Sequence, residues 1–487
     1  MLTKNRILSV ILITCILVGT TSSIRPSIAQ KEQVALRALL DNLAHPGRWD
    51  TLIQPALQKL RESHPDIDIQ IGYQESPYNE TRNTILTALT NQTPVDLVSV
   101  DQIWLGEFAE KGILTDLTNR TEKWGRSSDW YQANWDGGSY NKKIYGIWAW
   151  TDVRGMWYWK DLLKKADVDP ESLSSWSGYL AAAKKLEEKL GGNGTEGMYL
   201  VAASHSPDLW YPYLWMLGGE ILEYNDGHPT KGRYWFPAYN SSQGVRALEF
   251  LREQVNVGIK PQVNALHQAQ DFVNRKFAVS IDGSWVPGEF PLEQRNQLEK
   301  LVGFLPIFPI SSNETNQTAT MMGGWELSIP ASSTHKDLAW ELITIMLEPK
   351  TLAPWLLKFG YLPTQSVTGE AYTNSSQSLS FPYYDKMKSM VPLGHVRPSI
   401  AEYPMIAEHI SQAIHDVLSG GKDPRQALQD AASKSAKDLG WKKHEDPPNV
   451  LELPSNLQMA RKGQKRKLNN STVLLRIKPS GLIFIQS

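Results

Sequence analysis

The sequence predicts an α/β fold with at least two lobes, and two observations support this prediction. The chain has 487 residues, which is more than one simple hydrophobic core normally accommodates. Its apolar residues switch repeatedly between the three-to-four spacing of a helix and the two-residue alternation of a strand. Helices and strands that follow one another in this rhythm predict a parallel sheet covered by helices.

The alternation of elements begins near residue 50 and continues to residue 437. The strict apolar–polar alternation of Ile67–Ile71 is typical of a strand. Later in the chain, Ser175 or Ser177 can cap the helix predicted at 179–190. Gly112 closes an earlier helix. The predicted helices are 52–63, 81–90, 104–111, 179–190, 245–255, 267–275, 336–347, 405–418 and 424–437, and the predicted strands are 67–71, 95–100, 144–159, 198–203, 277–281, 302–305 and 326–329.

The composition is ordinary for a globular protein except in tryptophan. Hydrophobic residues make up 41% and charged residues 21% of the chain, and the formal net charge is -1. This balance excludes a global electrostatic attraction to nucleic acid or to anionic membranes. The 18 tryptophans fit either large cores or a surface that grips flat, amphipathic ligands, and composition leaves both interpretations open.

Residues 1–29 have the order of a secretory signal peptide. Lys4 and Arg6 precede an apolar stretch at 7–19, and small residues ending at Ala29 provide a cleavage site. The apolar stretch is shorter than the ~20 residues that span a bilayer as a helix. We therefore expect an extracytoplasmic protein, with an uncleaved membrane anchor as the alternative.

The only cysteine and the C-terminal segment add to this prediction. Cys15 lies inside the apolar stretch, so the mature chain would have no disulfide, and a lipid anchor at Cys15 is an alternative that Thr14 disfavours. Residues 446–487 contain the basic run Arg461–Lys467 and are predicted to be a disordered tail.

No motif in the sequence supports an ATPase, a hydrolase or a metal enzyme. Gly192, Gly194 and Gly197 match G-x-G-x-x-G, but they follow a predicted helix, whereas a dinucleotide site follows a strand. His409 and His415 are the closest histidine pair, and a gap of six residues does not place two metal ligands side by side on a helix. We expect no cofactor and no metal.

One enzymatic alternative remains open at this stage. A pair of carboxylates such as Asp101 with Asp152 could carry out glycoside hydrolysis if the fold brought them together. The alternative function is therefore a secreted glycan-processing enzyme that uses such carboxylates.

Several segments occur in the order of a known family. Asp96–Asp101 reads DLVSVD, and a tyrosine–glycine turn at Tyr145 precedes Trp150-Thr151-Asp152. Further pieces are Trp157–Ala166, Phe277–Trp285, Gly323–Ile329, Tyr361–Thr364, Arg397-Pro398 and Gly420–Ala427. Together these segments resemble the extracellular solute-binding proteins of carbohydrate ABC importers, the maltose/trehalose-binding type. The resemblance covers residues from about 35 to 440.

The resemblance implies a fold, a domain division and a function. The fold is the two-lobed periplasmic-binding-protein fold (type II), with a hinged ligand cleft. The N-terminal lobe would hold 30–150 with 325–360, and the C-terminal lobe 151–324 with 361–445. The implied function is non-catalytic: a monomer captures a sugar or oligosaccharide by lobe closure and delivers it to ABC permease subunits in the membrane.

The resemblance also implies binding residues, and sugar chemistry is consistent with them. A sugar ring presents C–H groups on its faces and hydroxyls at its edge, so it suits aromatic planes, carboxylates and arginine. For Trp285 and Trp325 packing is the alternative, and Asp101 could instead cap the next helix. The implied ring-stacking residues are Trp150, Trp285 and Trp325, the hydroxyl-binding residues are Asp101, Asp152 and Arg397, Gly324 allows close approach of the ligand, and Tyr211 belongs to an aromatic cluster that could face it.

Overall fold

The structure, a computed structural model, describes residues 31–43, 45–191, 196–201, 207–224, 234–262, 268–307, 318–373 and 383–440. The strands are β1 (Glu32–Asp41), β2 (Ile67–Ser76), β3 (Leu97–Asp101), β4 (Ser139–Tyr140), β5 (Lys143–Ile144), β6 (Ile147–Trp159), β7 (Glu196–Val201), β8 (Leu222–Tyr224), β9 (Tyr234–Pro237), β10 (Lys260–Gln262), β11 (Phe277–Gly283), β12 (Val302–Pro306), β13 (Thr320–Ser328) and β14 (Gly394–His395).

Helices alternate with these strands along most of the chain. They are α1 (Asp50–Ser63), α2 (Tyr78–Thr90), α3 (Gln102–Glu110), α4 (Thr118–Trp124), α5 (Gln132–Gly137), α6 (Lys160–Lys165), α7 (Trp176–Leu190), α8 (Tyr211–Met216), α9 (Ser242–Asn256), α10 (Gln268–Val273), α11 (Val286–Glu289), α12 (Leu292–Arg295), α13 (Leu298–Leu301), α14 (Lys336–Met346), α15 (Pro349–Phe359), α16 (Ser366–Thr373), α17 (Tyr384–Met390), α18 (Tyr403–Leu418) and α19 (Pro424–Asp438).

The chain divides into two compact units. The first comprises Met1–Asp152 with Gly323–Pro382, and the second Val153–Met322 with Tyr383–Ser487. We predicted that the chain passes from one lobe to the other at 150/151, 324/325 and 360/361. This lobe division stays a prediction. Residues 361–373, which we predicted for the second lobe, group with the first unit, where Leu362 and Thr151 exchange two backbone hydrogen bonds of 2.9 and 3.0 Å.

The first unit is built on the strand order β2-β1-β3-β13. β1 pairs in parallel with both β2 and β3, whereas β13 runs antiparallel to β3. The inward positions of β1 alternate, and Val34, Leu36, Ala38 and Leu40 are all buried. This arrangement places the carboxyl ends of β1 and β3, with Asp41 and Asp101 as their last residues, at one edge of the sheet.

The second unit has the strand order β10-β7-β11-β6, in which β12 also pairs with β6. β11 is parallel to β7 and antiparallel to β6, and β12 is antiparallel to β6 as well. Helices α9, α18 and α19 pack against one another beside these strands. The predicted parallel sheet is therefore wrong in part, because the strands of both units mix parallel and antiparallel pairs. Apolar alternation has the same period in both kinds of pair and does not encode strand direction.

Each predicted helix and strand has a counterpart in the structure, but the central strand β1 and other elements, among them α15, β8 and β9, were not predicted. Ser175 caps α7 by accepting a hydrogen bond from the Gly178 N–H at 3.3 Å, as the sequence predicts. The apolar alternation of β1 is regular, but the predicted elements began only near residue 50 and did not include this strand. The predicted signal peptide, the tail at 446–487 and the glycines at 192 and 194 lie outside the described residues.

Candidate functional site

Asp101 and Trp325 lie opposite each other at the edge of the first unit's sheet. The antiparallel register of β3 and β13 pairs them directly, although they are far apart in sequence. Asp101 Oδ1 accepts the Ile103 backbone N–H at 3.3 Å and so caps α3, which was the alternative role for this residue. Asp101 Oδ2 also accepts the Tyr78 hydroxyl at 3.0 Å, so the carboxylate does more than cap a helix.

The ring of Tyr78, whose hydroxyl bonds to this carboxylate, contacts two tryptophan rings. Trp104 and Trp325 meet edge to face with their centroids 5.4 Å apart and their planes at 87°. Tyr78 is tilted by 34° against Trp104 at 5.6 Å and is edge-on to Trp325 at 6.1 Å. Both indoles are buried, with 4% and 3% of their surface exposed, whereas Tyr78 is only half-buried. We call Tyr78, Asp101, Trp104 and Trp325 the first aromatic cluster.

Trp150 belongs to a different cluster within the first unit. Its ring stacks on Tyr361 with centroids 4.1 Å apart and planes at 16°, so one face of the indole is already covered. Gly324 approaches it closely, because a Cβ added at Gly324 would lie 2.4 Å from the Trp150 carbonyl oxygen and 2.6 Å from the Trp148 ring. Asp152 follows on the same strand and is buried. The ligand-binding roles of Trp150, Asp152 and Gly324 stay predictions.

A buried ion pair lies beside Trp150. Arg48 bonds to the carboxylate of Asp41, and its guanidinium also donates to the Tyr361 hydroxyl. The guanidinium carbon lies 5.8 Å from the Trp150 ring centroid and 5.4 Å from that of Tyr361. Burial raises the pKa of Asp41 to about 6, although Arg48 and the hydroxyl of Ser99 oppose the shift.

Glu326 is the most unusual carboxyl group of the first unit. Its side chain is fully buried, and neither carboxyl oxygen has a hydrogen-bond partner in the described part of the chain. Burial raises its pKa well above the ordinary value of 4.5, and the charge of Asp101 adds to the shift. The nearby indole N–H of Trp148 opposes the shift without reaching hydrogen-bond geometry. This environment favours the neutral form of the carboxyl group.

In the second unit, a network of charged residues links two predicted binding residues, Arg397 and Trp285. The linking residues, Asp208 and Arg154, were not predicted to bind the ligand. Arg397 Nη1 lies 3.4 Å from Asp208 Oδ1, and Arg154 Nη2 lies 3.8 Å from Asp208 Oδ2. The Arg154 guanidinium carbon then lies 4.2 Å from the ring centroid of Trp285, so it covers one face of that half-buried ring. This charged network brings Trp285 and Arg397 into one group, although the ligand-binding role of these two residues stays a prediction.

Tyr211 lies close to this charged network but is fully buried. Its hydroxyl accepts a hydrogen bond of 2.9 Å from the Tyr403 hydroxyl, and its ring is 5.4 Å from that of Trp215. Burial raises the pKa of Tyr211 well above 10, and the neighbouring Tyr403 and Asp208 add to the shift. The phenol is therefore neutral, and its predicted contact with a ligand is untested.

The most informative residues missed by sequence reasoning are Tyr78, Arg48, Arg154 and Asp208. Arg154 had a signal, because it follows Asp152 by two positions and so shares its side of a strand. Asp208 directly precedes the aromatic segment that includes Tyr211. Neither Tyr78 nor Arg48 belongs to a recognisable motif. The pairing of β1 with β2 and β3 brings Tyr78 to Asp101, and the turn between β1 and α1 brings Arg48 to Asp41.

The part of the chain that the structure describes contains neither a cluster of metal ligands nor a membrane-spanning helix. Among them, no group of three or more histidine, cysteine, aspartate or glutamate side chains is arranged to hold a metal ion. No helix in the described ranges is both long and apolar enough to cross a bilayer.

Comparison with known proteins identifies the family and the fold. In sequence, the chain is 23% identical over 376 residues to a binding protein of Brucella abortus, covering 75% of this chain and 85% of the relative. In structure, it is similar to an ABC transporter solute-binding protein of Thermotoga lettingae bound with α-D-tagatose, with a TM-score of 0.70, 23% identity, and coverage of 84% of this chain and 100% of that one. The GacH receptor of Streptomyces glaucescens, studied unliganded and with acarbose, gives a TM-score of 0.68 and 22% identity, covering 84% and 100%.

The two structural likenesses confirm the predicted fold class, the α/β fold of two-lobed periplasmic binding proteins. The family model described as bacterial extracellular solute-binding protein matches residues 48–353, which is more than half of the chain. The matched range includes the first aromatic cluster and most of the charged network in the second unit. This chain therefore belongs to the bacterial extracellular solute-binding protein family.

Proposed function

We propose that this chain is the extracytoplasmic solute-binding component of an ABC importer and that its solute is a sugar or oligosaccharide. Family membership supports the general class. The tagatose and acarbose bound by two proteins of the same fold support a sugar as the solute. The observation that carries the proposal is the first aromatic cluster, in which the Asp101 carboxylate accepts the Tyr78 hydroxyl and the Tyr78 ring contacts two tryptophans.

The chemistry of that cluster matches a saccharide better than it matches a metal ion. Aromatic faces cover the C–H surfaces of a sugar ring, and a carboxylate accepts hydrogen bonds from the hydroxyls at its edge. A metal ion would require several convergent oxygen ligands, whereas the Asp101 carboxylate accepts hydrogen bonds from the Tyr78 hydroxyl and the Ile103 N–H. In the second unit, the half-buried Trp285 supplies an aromatic ring and the guanidinium of Arg397 supplies hydrogen-bond donors.

We further propose that binding involves no covalent chemistry. The family and its structural neighbours are binding proteins, which supports a role in capture and delivery to permease subunits. The family description places such proteins outside the cytoplasm, which agrees with a signal peptide at residues 1–29. We propose that the exported protein works as a monomer without a cofactor.

Calorimetry against a saccharide panel, with a parallel assay for products, tests this proposal. The panel contains D-tagatose, maltotriose, acarbose and a linear arabino-oligosaccharide. We expect saturable, one-to-one binding of at least one member and unchanged saccharide by chromatography after prolonged incubation. Release of shorter sugars would contradict the transport function and favour the glycan-processing alternative. Absence of binding to every member would contradict a sugar as the solute.

A further inference from the structure

Tyr78 differs from the other rings of the first aromatic cluster in one respect, which is its exposure. Trp104 and Trp325 are buried, whereas Tyr78 is half-buried. We propose that Tyr78 presents the aromatic surface that contacts the solute in the first unit and that Trp104 and Trp325 are positioning residues behind it. This inference rests on the proposed function. It changes the residue expected to stack on the sugar from Trp325 to Tyr78.

The surroundings of Tyr78 hold its ring in one orientation. It is the first residue of α2 and follows Pro77, whose extended backbone (φ -58°, ψ 152°) sets the direction in which the helix starts. Trp104 supports the ring from a tilted position at 5.6 Å, and Trp325 supports it edge-on at 6.1 Å. A ring that is already immobilised loses little conformational entropy when a solute packs against it.

The hydroxyl of Tyr78 connects the ring to the polar part of the cluster. It donates a hydrogen bond of 3.0 Å to Asp101 Oδ2, while Asp101 Oδ1 accepts the N–H of Ile103. The ring plane and the carboxylate are therefore held at a defined separation. A saccharide needs this combination, because its C–H face and its hydroxyl edge lie side by side.

Trp325 is poorly suited to the stacking role that the sequence suggested. Only 3% of its surface is exposed, and it meets Trp104 at 87° and Tyr78 at 75°. An indole packed in this way offers almost no face to a solute. Its position opposite Asp101 in the strand register instead suits it to hold the cluster together.

Tyr73 provides a matched control within the same unit. It also donates its hydroxyl to an aspartate, with 2.8 Å between its Oη and Asp50 Oδ1, and its ring is likewise half-buried. It lies on β2, outside the first aromatic cluster. Substitution of Tyr73 therefore removes the same type of side chain and the same type of hydrogen bond without removing the proposed contact.

The experiment compares the full chain with Tyr78→Ala, Tyr78→Phe and Tyr73→Ala, using the panel saccharide that the unmodified chain binds most tightly. We expect Tyr78→Ala to weaken binding by about tenfold or more, which is the loss of one good aromatic contact. Tyr78→Phe keeps the ring and should lose roughly threefold, as expected for one modest hydrogen bond. Tyr73→Ala should bind like the unmodified chain. Circular dichroism checks that each variant is folded.

Hydroxyl-radical footprinting of the unmodified chain supplies a second measurement that does not depend on any variant. Saturating saccharide should lower the oxidation of Tyr78 and leave that of Tyr73 in the same sample unchanged. Unchanged Tyr78 oxidation, or equal affinities of folded Tyr78→Ala and Tyr73→Ala, would overturn the inference while leaving the proposed function intact. An unmodified chain that binds no panel saccharide would overturn both.

Discussion

Replacing Glu326 by glutamine should change how the stability of the first unit depends on pH. The carboxyl group is fully buried with no hydrogen-bond partner among the described residues, and burial raises its pKa well above 4.5. Glutamine has nearly the same shape but cannot ionise. The substitution therefore isolates the cost of placing a charge at this position from the cost of changing the packing.

The sign of the effect follows from the direction of the pKa shift. A carboxyl group with a raised pKa in the folded state binds its proton more tightly there than in the unfolded chain. Its contribution to stability is fully present below the unfolded pKa of about 4.5 and is lost as pH rises toward the folded pKa. Over that window the free energy of unfolding falls by about 1.4 kcal/mol for each pH unit. The variant lacks this loss.

Urea denaturation at pH 5, 6 and 7, followed by tryptophan fluorescence, measures the effect. The free energy of unfolding of Glu326→Gln minus that of the unmodified chain should increase with pH, by about 1.4 kcal/mol per pH unit between the unfolded and the folded pKa of Glu326. The buried Asp41, whose pKa of about 6 also contributes to the pH dependence, is present in both proteins and cancels in the difference. Glu122→Gln, an exposed substitution on α4, controls for the change in net charge.

A difference between Glu326→Gln and the unmodified chain that stays constant from pH 5 to 7 would refute this reasoning. Such a result would mean that Glu326 is ionised in the folded protein or that its carboxyl group has a hydrogen-bond partner. An equal pH-dependent rise in Glu122→Gln would show instead that the net charge causes the effect.

Three further substitutions test other buried groups by the same urea assay. Arg48→Met leaves Asp41 without its counter-ion and should cost about 3–5 kcal/mol at pH 7, with a smaller loss at pH 5; equal losses would contradict a charged Asp41. Gly146→Ala places a Cβ 2.1 Å from Glu326 Oε2 and should cost about 1–3 kcal/mol, so unchanged stability would contradict the close packing. Burial lowers the pKa of His409 below 6.5, so stability should fall as pH drops below 6.5, and His409→Gln should flatten this decline.

Local signals in the sequence were sufficient to predict many of the longer elements. The Ser175 cap, the alternation of Ile67–Ile71 and the helical spacing of 424–437 each depend on residues within one turn or one strand. The ordered motifs also supported the family and the α/β fold, both of which comparison with known proteins confirms. These properties need no knowledge of which distant segments meet.

Strand direction and side-chain partners depended on the tertiary structure. Asp101 meets Trp325 only because β3 and β13 pair in one particular antiparallel register, and a shift of one residue would turn Trp325 to the opposite face. Arg48 reaches Asp41 because the chain turns back between β1 and α1, where no motif marks the contact.

Burial was likewise decided by the fold. The sequence by itself established that aromatic and carboxylate side chains suited to a sugar are present, and that they follow the order of a solute-binding family. It did not distinguish the buried indole of Trp325 from the half-buried ring of Tyr78. Exposure is a property of everything packed around a residue, and most of those neighbours are remote in the chain.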